Sequence, residues 1–330
     1  MTGLLGSQRQ ALLVAGVSRG TWQDRLKPRE RVADPVHQAD RAYESRISDA
    51  VRACIEERIK LAWSGGESVD WAFATAWDES IMLASRRTWW RIAQKIEDQM
   101  LRPKPHRKKG KRVKRGAPVV IATGPGQVWS WDITDLYSPW TGKNYKAYKI
   151  IDIYARDIKG YRVEDREFDE FATEMFREAI KQYGAPQIVH ADNGASMTST
   201  KLQDLLTVAG VEMTHNRPYV SNDNPFSEAA FKTMKYRPNY PRIFNTLEDA
   251  RQYVDGYVHW YNTSHKHTGI ALFSPVEVSD GTWKQKWEIR DKALQRYFTR
   301  HPERFTCRPV TPSPADTVGI NHRKHKITKI

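Results

Sequence analysis

The stretch that decides the fold is Val128-Trp129-Ser130-Trp131-Asp132-Ile133-Thr134. Apolar and polar side chains alternate along it, which is typical of a β-strand with one buried face. The alternation places Trp129, Trp131 and Ile133 on one face and Asp132 on the other. An aspartate in the middle of a strand is disfavoured unless something compensates its charge. The stretch therefore predicts a core strand that carries a functional carboxylate.

The residues after this strand predict a mixed sheet covered by helices. Residues 145–152 and 158–163 are strand candidates close enough in sequence to form an antiparallel pair. An amphipathic helix follows from about Phe171 and is closed by Gly184. The later elements are a strand over 187–190, a helix over 199–209, a strand over 211–214, a helix from Pro225 and a helix over 245–261 that Asn245 and Glu248 would cap. This order predicts an α/β layer architecture.

Three acids lie where such a fold could use them. Asp192 directly follows a predicted strand, and Glu228 lies in the first turn of a helix that Asn224 can cap and Pro225 can begin. Fifty-nine residues separate Asp132 from Asp192, and thirty-five separate Asp192 from Glu228. Taken singly, the sequence at Asp192 is typical of a turn and Glu228 of an ordinary helix start. Together, three carboxylates on separate elements suit hard divalent cations and phosphodiester chemistry.

Neighbouring residues argue against other sites. Asp135 falls on the opposite strand face from Asp132, and Asp223 precedes its helix, so neither is predicted to join the triad. Cys54 and Cys307 are too far apart in sequence to suggest a disulfide framework or a paired zinc ligand set. The histidine spacings match no zinc signature; these residues are His190, His215, His259, His265 and His267. No zinc is expected.

The charge balance points to a polyanionic partner. The 330-residue chain has 53 Lys and Arg against 39 Asp and Glu, a formal net charge of +14. Such a surplus favours nucleic acid or an acidic membrane surface, although a basic soluble protein without such a partner is the simpler alternative. No apolar run approaches the roughly 18 residues of a membrane span. We expect a soluble, intracellular protein without membrane partners.

Two short phrases suggest helix-turn-helix units. Residues 18–22, SRGTW, are echoed by residues 85–89, SRRTW, and each follows a predicted helix: 8–14 before the first copy, and 39–62 and 68–84 before the second. A serine cap would place the following side chains at the helix N-terminus that enters a major groove. The candidate DNA contacts are Arg19, Thr21, Arg86, Arg87 and Thr88. Two ordinary capped helices are the alternative.

Residues 102–115 carry nine Lys and Arg and no acid, with prolines and a glycine that disfavour regular structure. A solvated linker is the plain interpretation. A linker lying along phosphates would also gain affinity by counterion release. The candidate phosphate contacts are Lys108, Lys109, Lys111, Arg112, Lys114 and Arg115. After a helix from Trp283 to about Arg300, the chain is expected to loosen into a basic tail.

Several motifs together resemble a known family. They are VWSWDIT at 128–134, IDIYAR at 151–156, HADNG at 190–194, NDNPFSE at 222–228, FKTMK at 231–235 and WYN at 260–262, continuing through His267 to Ser274-Pro275. Residues 125–285 thereby resemble the catalytic core of DDE transposases of the retroviral-integrase type, in particular those of bacterial copy-out insertion sequences. The resemblance implies a ribonuclease-H-like fold in which Asp132, Asp192 and Glu228 bind metal and are catalytic.

The resemblance also implies a function. A transposase of this type binds the terminal inverted repeats of its element, cleaves a DNA strand and joins the freed end to target DNA. Two Mg²⁺ ions, with Mn²⁺ able to substitute, would serve as cofactors, and the protein would assemble as a homo-oligomer on double-stranded DNA in the bacterial cytoplasm, associated with the nucleoid. Lys235, two helical turns after Glu228, would contact the element end. Asn193 and Asn224 would orient the acids.

Two alternatives remain open from the sequence: a hydrolytic nuclease of the same fold, and a non-catalytic DNA-binding repressor derived from a transposase. The predicted division of the chain is a helix-turn-helix segment at 1–30, a second helical segment at 31–101, the basic linker at 102–118, the catalytic core at 119–285 and the basic tail at 286–330.

Overall fold

The structure is a computed structural model that describes residues 8–26, 43–96, 119–192, 194–216 and 224–321. Asn193, Asp223 and the basic linker with its six candidate phosphate contacts lie outside the described residues. The chain divides into two compact units, 1–46 and 47–330, which are described separately.

The first unit contains two short helices, α1 (Gln8–Val14) and α2 (Arg19–Leu26). Gly16 turns the chain between them with φ +64, in the left-handed region that glycine tolerates. The Ser18 hydroxyl accepts the backbone N–H of Thr21 at 3.1 Å, so Ser18 caps α2 as the sequence predicts.

The second unit begins with three helices, α3 (Asp49–Ser64), α4 (Val69–Asp78) and α5 (Arg86–Ala93). The predicted helix at 39–62 is wrong at its start, because Ser48 caps α3 by accepting the Val51 N–H. The predicted helix at 68–84 is wrong at its end, because Ser80 adopts φ 64 and turns the chain out of α4. Ser85 caps α5 as expected. Buried side chains from all three helices form one apolar core.

A five-stranded mixed sheet forms the centre of the second unit. Its strands are β2 (Val128–Tyr137), β3 (Asn144–Asp152), β4 (Ile158–Glu164), β5 (Ile188–Ala191) and β6 (Glu212–His215), in the spatial order β4-β3-β2-β5-β6. β2, β3 and β4 are antiparallel, whereas β5 lies parallel to both β2 and β6. The predicted α/β class is confirmed, and the sheet with its flanking helices is ribonuclease-H-like.

Helices cover both faces of the sheet. On one face, α6 (Asp169–Tyr183) and α7 (Thr200–Val208) pack on the buried Trp129 and Trp131. On the other face, α8 (Pro225–Lys235) and α9 (Leu247–Thr263) enclose a second apolar core. The alternation in β2 therefore separates the face of Trp129 and Trp131, which packs on α6 and α7, from the face that meets α8, the helix of Glu228.

The N-cap predicted for α9 is wrong by one residue. Thr246, in extended conformation, accepts the N–H of Asp249, whose carboxylate accepts the N–H of Thr246 in return. Asn245 and Glu248 do not form this capping box. The stripe of apolar residues along α9 still faces the core, because the cap position does not change the helical period.

The remaining elements are α10 (Pro275–Asp280), α11 (Trp283–Arg300), β1 (Val120–Ala122) and β7 (Val318–Ile320). α11 has the bounds predicted. The chain after it was expected to stay loose, but β7 returns to pair antiparallel with β1, and Ile320 is buried there. Among the described helices, none combines the length and the apolar character that a membrane crossing requires.

Candidate active site

Asp132 projects from the middle of β2 towards α8. Its cross-strand partner is Lys149 of β3, and one carboxylate oxygen accepts the N–H of Ile133 at 2.8 Å. Burial raises the pKa of Asp132 to about 6, and the negative charges of Asp192 and Glu228 add to this, while Lys149 opposes it. The site therefore concentrates negative charge in a partly buried position.

Asp192 follows β5, directly beside β2 in the sheet. Its carboxylate accepts the Gly194 N–H at 2.8 Å, and its backbone carbonyl lies 2.9 Å from Nδ1 of His215. His190, two residues earlier in β5, pairs with Ser130 of β2. Its side chain is fully buried and hydrogen-bonded to Thr214 of β6. The polar side chains of β5 and β6 thus anchor the turn that carries Asp192.

Glu228 lies in the first turn of α8, and Asn224 attaches that turn to β2. The Ser130 hydroxyl donates to the Asn224 amide oxygen at 2.5 Å, and the Asn224 amide nitrogen donates to the Trp131 carbonyl at 3.0 Å. Asn224 is the N-cap residue of α8, as predicted, but its side chain makes no cap hydrogen bond to the helix. The same side chain instead ties the start of the Glu228 helix to the strand residues before Asp132.

The three acids are electrostatically coupled without forming a closed ligand set. Glu228 pairs with Lys232 one turn along α8, at 3.0 Å, and both side chains are exposed to solvent. In the part of the chain that the structure describes, no three His, Cys, Asp or Glu residues are grouped so as to hold a metal ion. The charges of Asp192 and Glu228 nevertheless both raise the pKa of Asp132.

Lys149 is a residue of the site that sequence reasoning missed. Its side chain is buried between β3 and α8, where the ammonium donates to the Ser227 carbonyl at 3.2 Å and lies 3.3 Å from the centroid of the Phe231 ring. Burial lowers the pKa of Lys149 well below its usual value, and the charge of Asp132 opposes that shift. A lysine within an otherwise apolar run, at a position that pairs with an acid, was the available signal.

Lys235 lies at the other end of α8 from Glu228 and turns towards β2. Its ammonium donates to the Thr134 hydroxyl at 2.7 Å and to the Asp135 carbonyl at 2.8 Å. Burial lowers its pKa, although Asp135 and Asp132 act in the opposite direction. Asp135 itself pairs with Lys146 of β3, consistent with the prediction that it stands apart from the triad.

The candidate DNA contacts at residues 86–88 differ in how far their side chains are already engaged by other residues. Arg86 binds both carboxylate oxygens of Asp70 at 2.7 Å, and Trp90 donates to the same carboxylate. The Thr88 hydroxyl accepts a hydrogen bond from the Arg91 guanidinium at 3.2 Å. Arg87 is exposed to solvent. In the first unit, Arg19 and Thr21 are also exposed, and the Thr21 hydroxyl lies 2.8 Å from that of Ser18.

The donor chemistry of the site fits a hard divalent cation. Carboxylate oxygens are the ligands that such ions take in proteins. Burial, together with the charges of Asp192 and Glu228, raises the pKa of Asp132, so a bound cation would stabilise its ionised form. Two partly buried histidines further along the chain are separate from this site. Burial lowers the pKa of His265 to about 4 and that of His267 to about 3, so both are neutral near pH 7.

This part of the chain is similar to known proteins. Residues 122–221 match one integrase core domain model and residues 209–275 match a second. "Transposase for insertion sequence element IS904" of Lactococcus lactis is 32% identical over 160 residues, 47% of this chain and 62% of the relative. "Putative transposase for insertion sequence element IS986/IS6110" of Mycobacterium tuberculosis (strain H37Rv) is 27% identical over 172 residues, 49% of this chain and 60% of the relative.

Among solved structures, the catalytic core domain of BIV integrase is 20% identical, with 49% of this chain and 99% of that chain covered and a TM-score of 0.37. The two bacterial transposases are matched over only about six tenths of their length. Residues 122–275 therefore match integrase core domain models. This part of the chain is similar to transposases of bacterial insertion sequences.

Proposed function

We propose that this protein is a transposase that binds the terminal inverted repeats of a mobile element, cuts a DNA strand there and transfers the freed 3′ end to target DNA. The observation that carries the proposal is the accumulation of negative charge around Asp132. Burial and the charges of Asp192 and Glu228, which lie on two other elements, together raise the pKa of Asp132. The names of the bacterial relatives support the mobile element as substrate.

Asp132, Asp192 and Glu228 would hold two Mg²⁺ ions, which Mn²⁺ could replace. Bound there, the ions would neutralise charge on the attacking and leaving oxygens of the phosphodiester. Asp132 supplies its carboxylate from a rigid central strand, whereas Glu228 reaches the site from α8 once it leaves Lys232. Asn224 binds the start of α8 to β2, so the backbone position from which the Glu228 side chain extends is fixed. Asn193 would orient Asp192 in the same way.

The remaining parts of the chain would bind DNA. The helix-turn-helix segments at 1–30 and within 31–101 would recognise the repeats, and the linker at 102–118 would lie along phosphates. Residues 119–285 would be catalytic and the tail from 286 would add basic charge. Lys235 would contact the element end from its place between α8 and β2. The active form would be a homo-oligomer on double-stranded DNA in the bacterial cytoplasm, at the nucleoid.

The test is strand transfer from a labelled element end with a pre-cut 3′-hydroxyl, incubated with target DNA and Mg²⁺ or Mn²⁺. Asp132→Asn, Asp192→Asn and Glu228→Gln should each abolish both cutting and joining while gel-shift affinity for the repeats stays near that of the wild type. Asp135→Asn is the matched control, because its carboxylate pairs with Lys146 instead of the triad.

Each outcome decides between functions. Joined products from the wild type that all three substitutions remove would support the transposase. Hydrolysis without joining, whatever the metal or end sequence, would identify a nuclease of this fold. Repeat binding without any metal-dependent cleavage would identify a DNA-binding repressor.

A further inference from the structure

We propose that residues 47–96 form a fixed DNA-binding arm of the catalytic core, in which α4 is fastened at both ends so that a duplex bound on α5 meets the active site at one set position. The inference rests on the proposed function for its DNA partner. Its structural part concerns only residues within the second compact unit.

The C-terminal end of α4 is held by Asp78. The Asp78 carboxylate accepts from Arg290 of α11 at 2.7 Å and from Lys266, which follows α9, at 2.8 Å. An acid at a helix C-terminus opposes the helix dipole, so its presence there needs an external cation. Burial favours the neutral acid, but Arg290 and Lys266 outweigh it and hold the pKa of Asp78 below its usual value. Asp78 is thus an ion-paired attachment to the core.

The N-terminal end of α4 is held by Glu67, directly before the cap residue Ser68. Its carboxylate accepts from the indole nitrogen of Trp260 in α9 at 2.9 Å and lies 3.8 Å from Arg237. The Arg237 guanidinium in turn lies 3.4 Å from the centroid of the Trp260 ring. Two attachments about one helix length apart resist rotation of α4 in a way that one attachment could not.

Packing between the attachments removes the remaining freedom. The apolar core of the three arm helices also includes Leu272 and, from α11, Ala293 and Leu294. The Trp77 indole donates to the backbone carbonyl of Arg290 at 2.8 Å, and the Tyr297 hydroxyl donates to the carbonyl of Leu83 at 3.2 Å. Close-packed interiors of this kind favour one arrangement over a range of tilts. The arm therefore moves with the core.

The exposed side of α5 is suited to duplex DNA. Arg87, Arg91 and Lys95 are exposed and recur every fourth residue, so they share one side of α5 and of the turn that follows it. Trp89 and Ile92 on the opposite side are buried in the arm. A basic stripe backed by a rigid apolar anchor can follow a phosphate backbone.

The expected test separates DNA affinity from DNA placement. In the double variant Glu67→Gln/Asp78→Asn, both ion-pair attachments to the core are weakened, yet α5 and its basic stripe are unchanged. Binding of repeat DNA should therefore stay as in the wild type, whereas cleavage at the correct phosphate should fall at least about tenfold and cuts should scatter over neighbouring positions. Glu79→Gln is the matched control, because Glu79 pairs with Arg58 inside the arm, at 2.9 Å. Arg87→Ala/Arg91→Ala should show the reverse pattern, with lower affinity and unscattered cuts.

A distance measurement decides the same point without catalysis. Spin labels are placed on Gln94→Cys in the arm and Gln182→Cys in α6, both exposed, in a background with Cys54→Ser and Cys307→Ser. The wild type and Glu79→Gln should give one narrow distance distribution and the double variant a broad one. A broad distribution in the wild type, or a narrow one in a double variant whose thermal unfolding shows it to be folded, would overturn the fixed arm. If the wild type cuts no DNA, the proposed function fails while this measurement still decides the arm.

Discussion

Replacing Asp132 by Asn should make the protein more stable near neutral pH and catalytically inactive. The ionised carboxylate is partly buried beside two other acids, which raises its pKa to about 6. Asparagine has nearly the same shape, and its amide oxygen can still accept the Ile133 N–H. The substitution therefore removes a charge that the folded protein holds at a cost in free energy.

The size of this effect follows from the pKa. Moving the pKa from the ordinary 3.8 to about 6 corresponds to about 3 kcal/mol in the free energy of unfolding, as an upper limit. Because the folded state binds the proton more tightly, this contribution is fully present below about pH 3.8 and is lost as the pH rises through about 6. Above that pH, Asp132→Asn should exceed the wild type by up to about 3 kcal/mol, and the gap should close towards pH 4.

The assay is urea unfolding of metal-free protein at a series of pH values, with the difference between variant and wild type plotted against pH. Taking the difference cancels the other groups, including Asp152, whose pKa burial also raises to about 6. Asp135→Asn, which removes an ion pair at the edge of solvent, should change stability by less than about 1 kcal/mol. Adding Mg²⁺ should stabilise the wild type more than Asp132→Asn. A variant no more stable than the wild type at pH 7.5 would refute the reasoning.

Three further predictions concern the residues around the acids. Lys149→Met should lower the Mg²⁺ concentration needed for half-maximal cleavage by about tenfold, since removing about 1.4 kcal/mol of repulsion between the lysine and the metal suffices for that. The maximal rate should fall, because the hydrogen bond to Ser227 is lost. A metal titration of the cleavage rate measures both quantities, and a loss of rate with no gain in metal affinity would show a merely structural role. Asn224→Ala should cost about 1–3 kcal/mol in the free energy of unfolding, because it removes two buried hydrogen bonds to β2, and should reduce cleavage. Unchanged activity would contradict the role of Asn224 in positioning Glu228. Lys235→Ala should reduce joining of a pre-cut end more than nicking of nonspecific DNA, and an equal effect on both reactions would remove its assignment to the element end.

The strand and helix order of the core was predictable because its periodicity is strong. In β2, two tryptophans alternate with polar residues, and no helix could bury that pattern on one side. The boundaries were harder where a cap decided them. Ser48 and Thr246 each end an extended segment by accepting a backbone N–H, and neighbouring residues of similar type made other caps equally plausible in the sequence.

The three acids lie where the sequence predicts them, in the middle of a strand, after a strand and in the first turn of a helix. By contrast, Lys149 and Ser130 were not predicted, and neither was the attachment of Asn224 to β2. Lys149, Asn224 and Ser130 lie far apart in sequence and meet only when α8 packs on β2 and β3. Hydrogen bonds across such distances depend on tertiary packing, which single-sequence periodicity does not contain. The pairing of β7 with β1 was missed for the same reason, since a three-residue strand carries almost no pattern.

The count of 53 Lys and Arg overstates the number of cations that this protein can offer to DNA. Several of its cations already interact with other residues of the fold: Lys149 is buried beside Asp132 and α8, Arg290 pairs with Asp78, and Arg86 pairs with Asp70. Each compensates an acid whose burial would otherwise be costly, so none is free to release counterions from phosphates. On α5 the available charge is therefore the exposed stripe that begins at Arg87, rather than the serine-capped arginine pair that the sequence suggests. The salt dependence of repeat binding should accordingly fall with the loss of Arg87 and change little with the loss of Arg86, because only the former exchanges solvent ions for a phosphate.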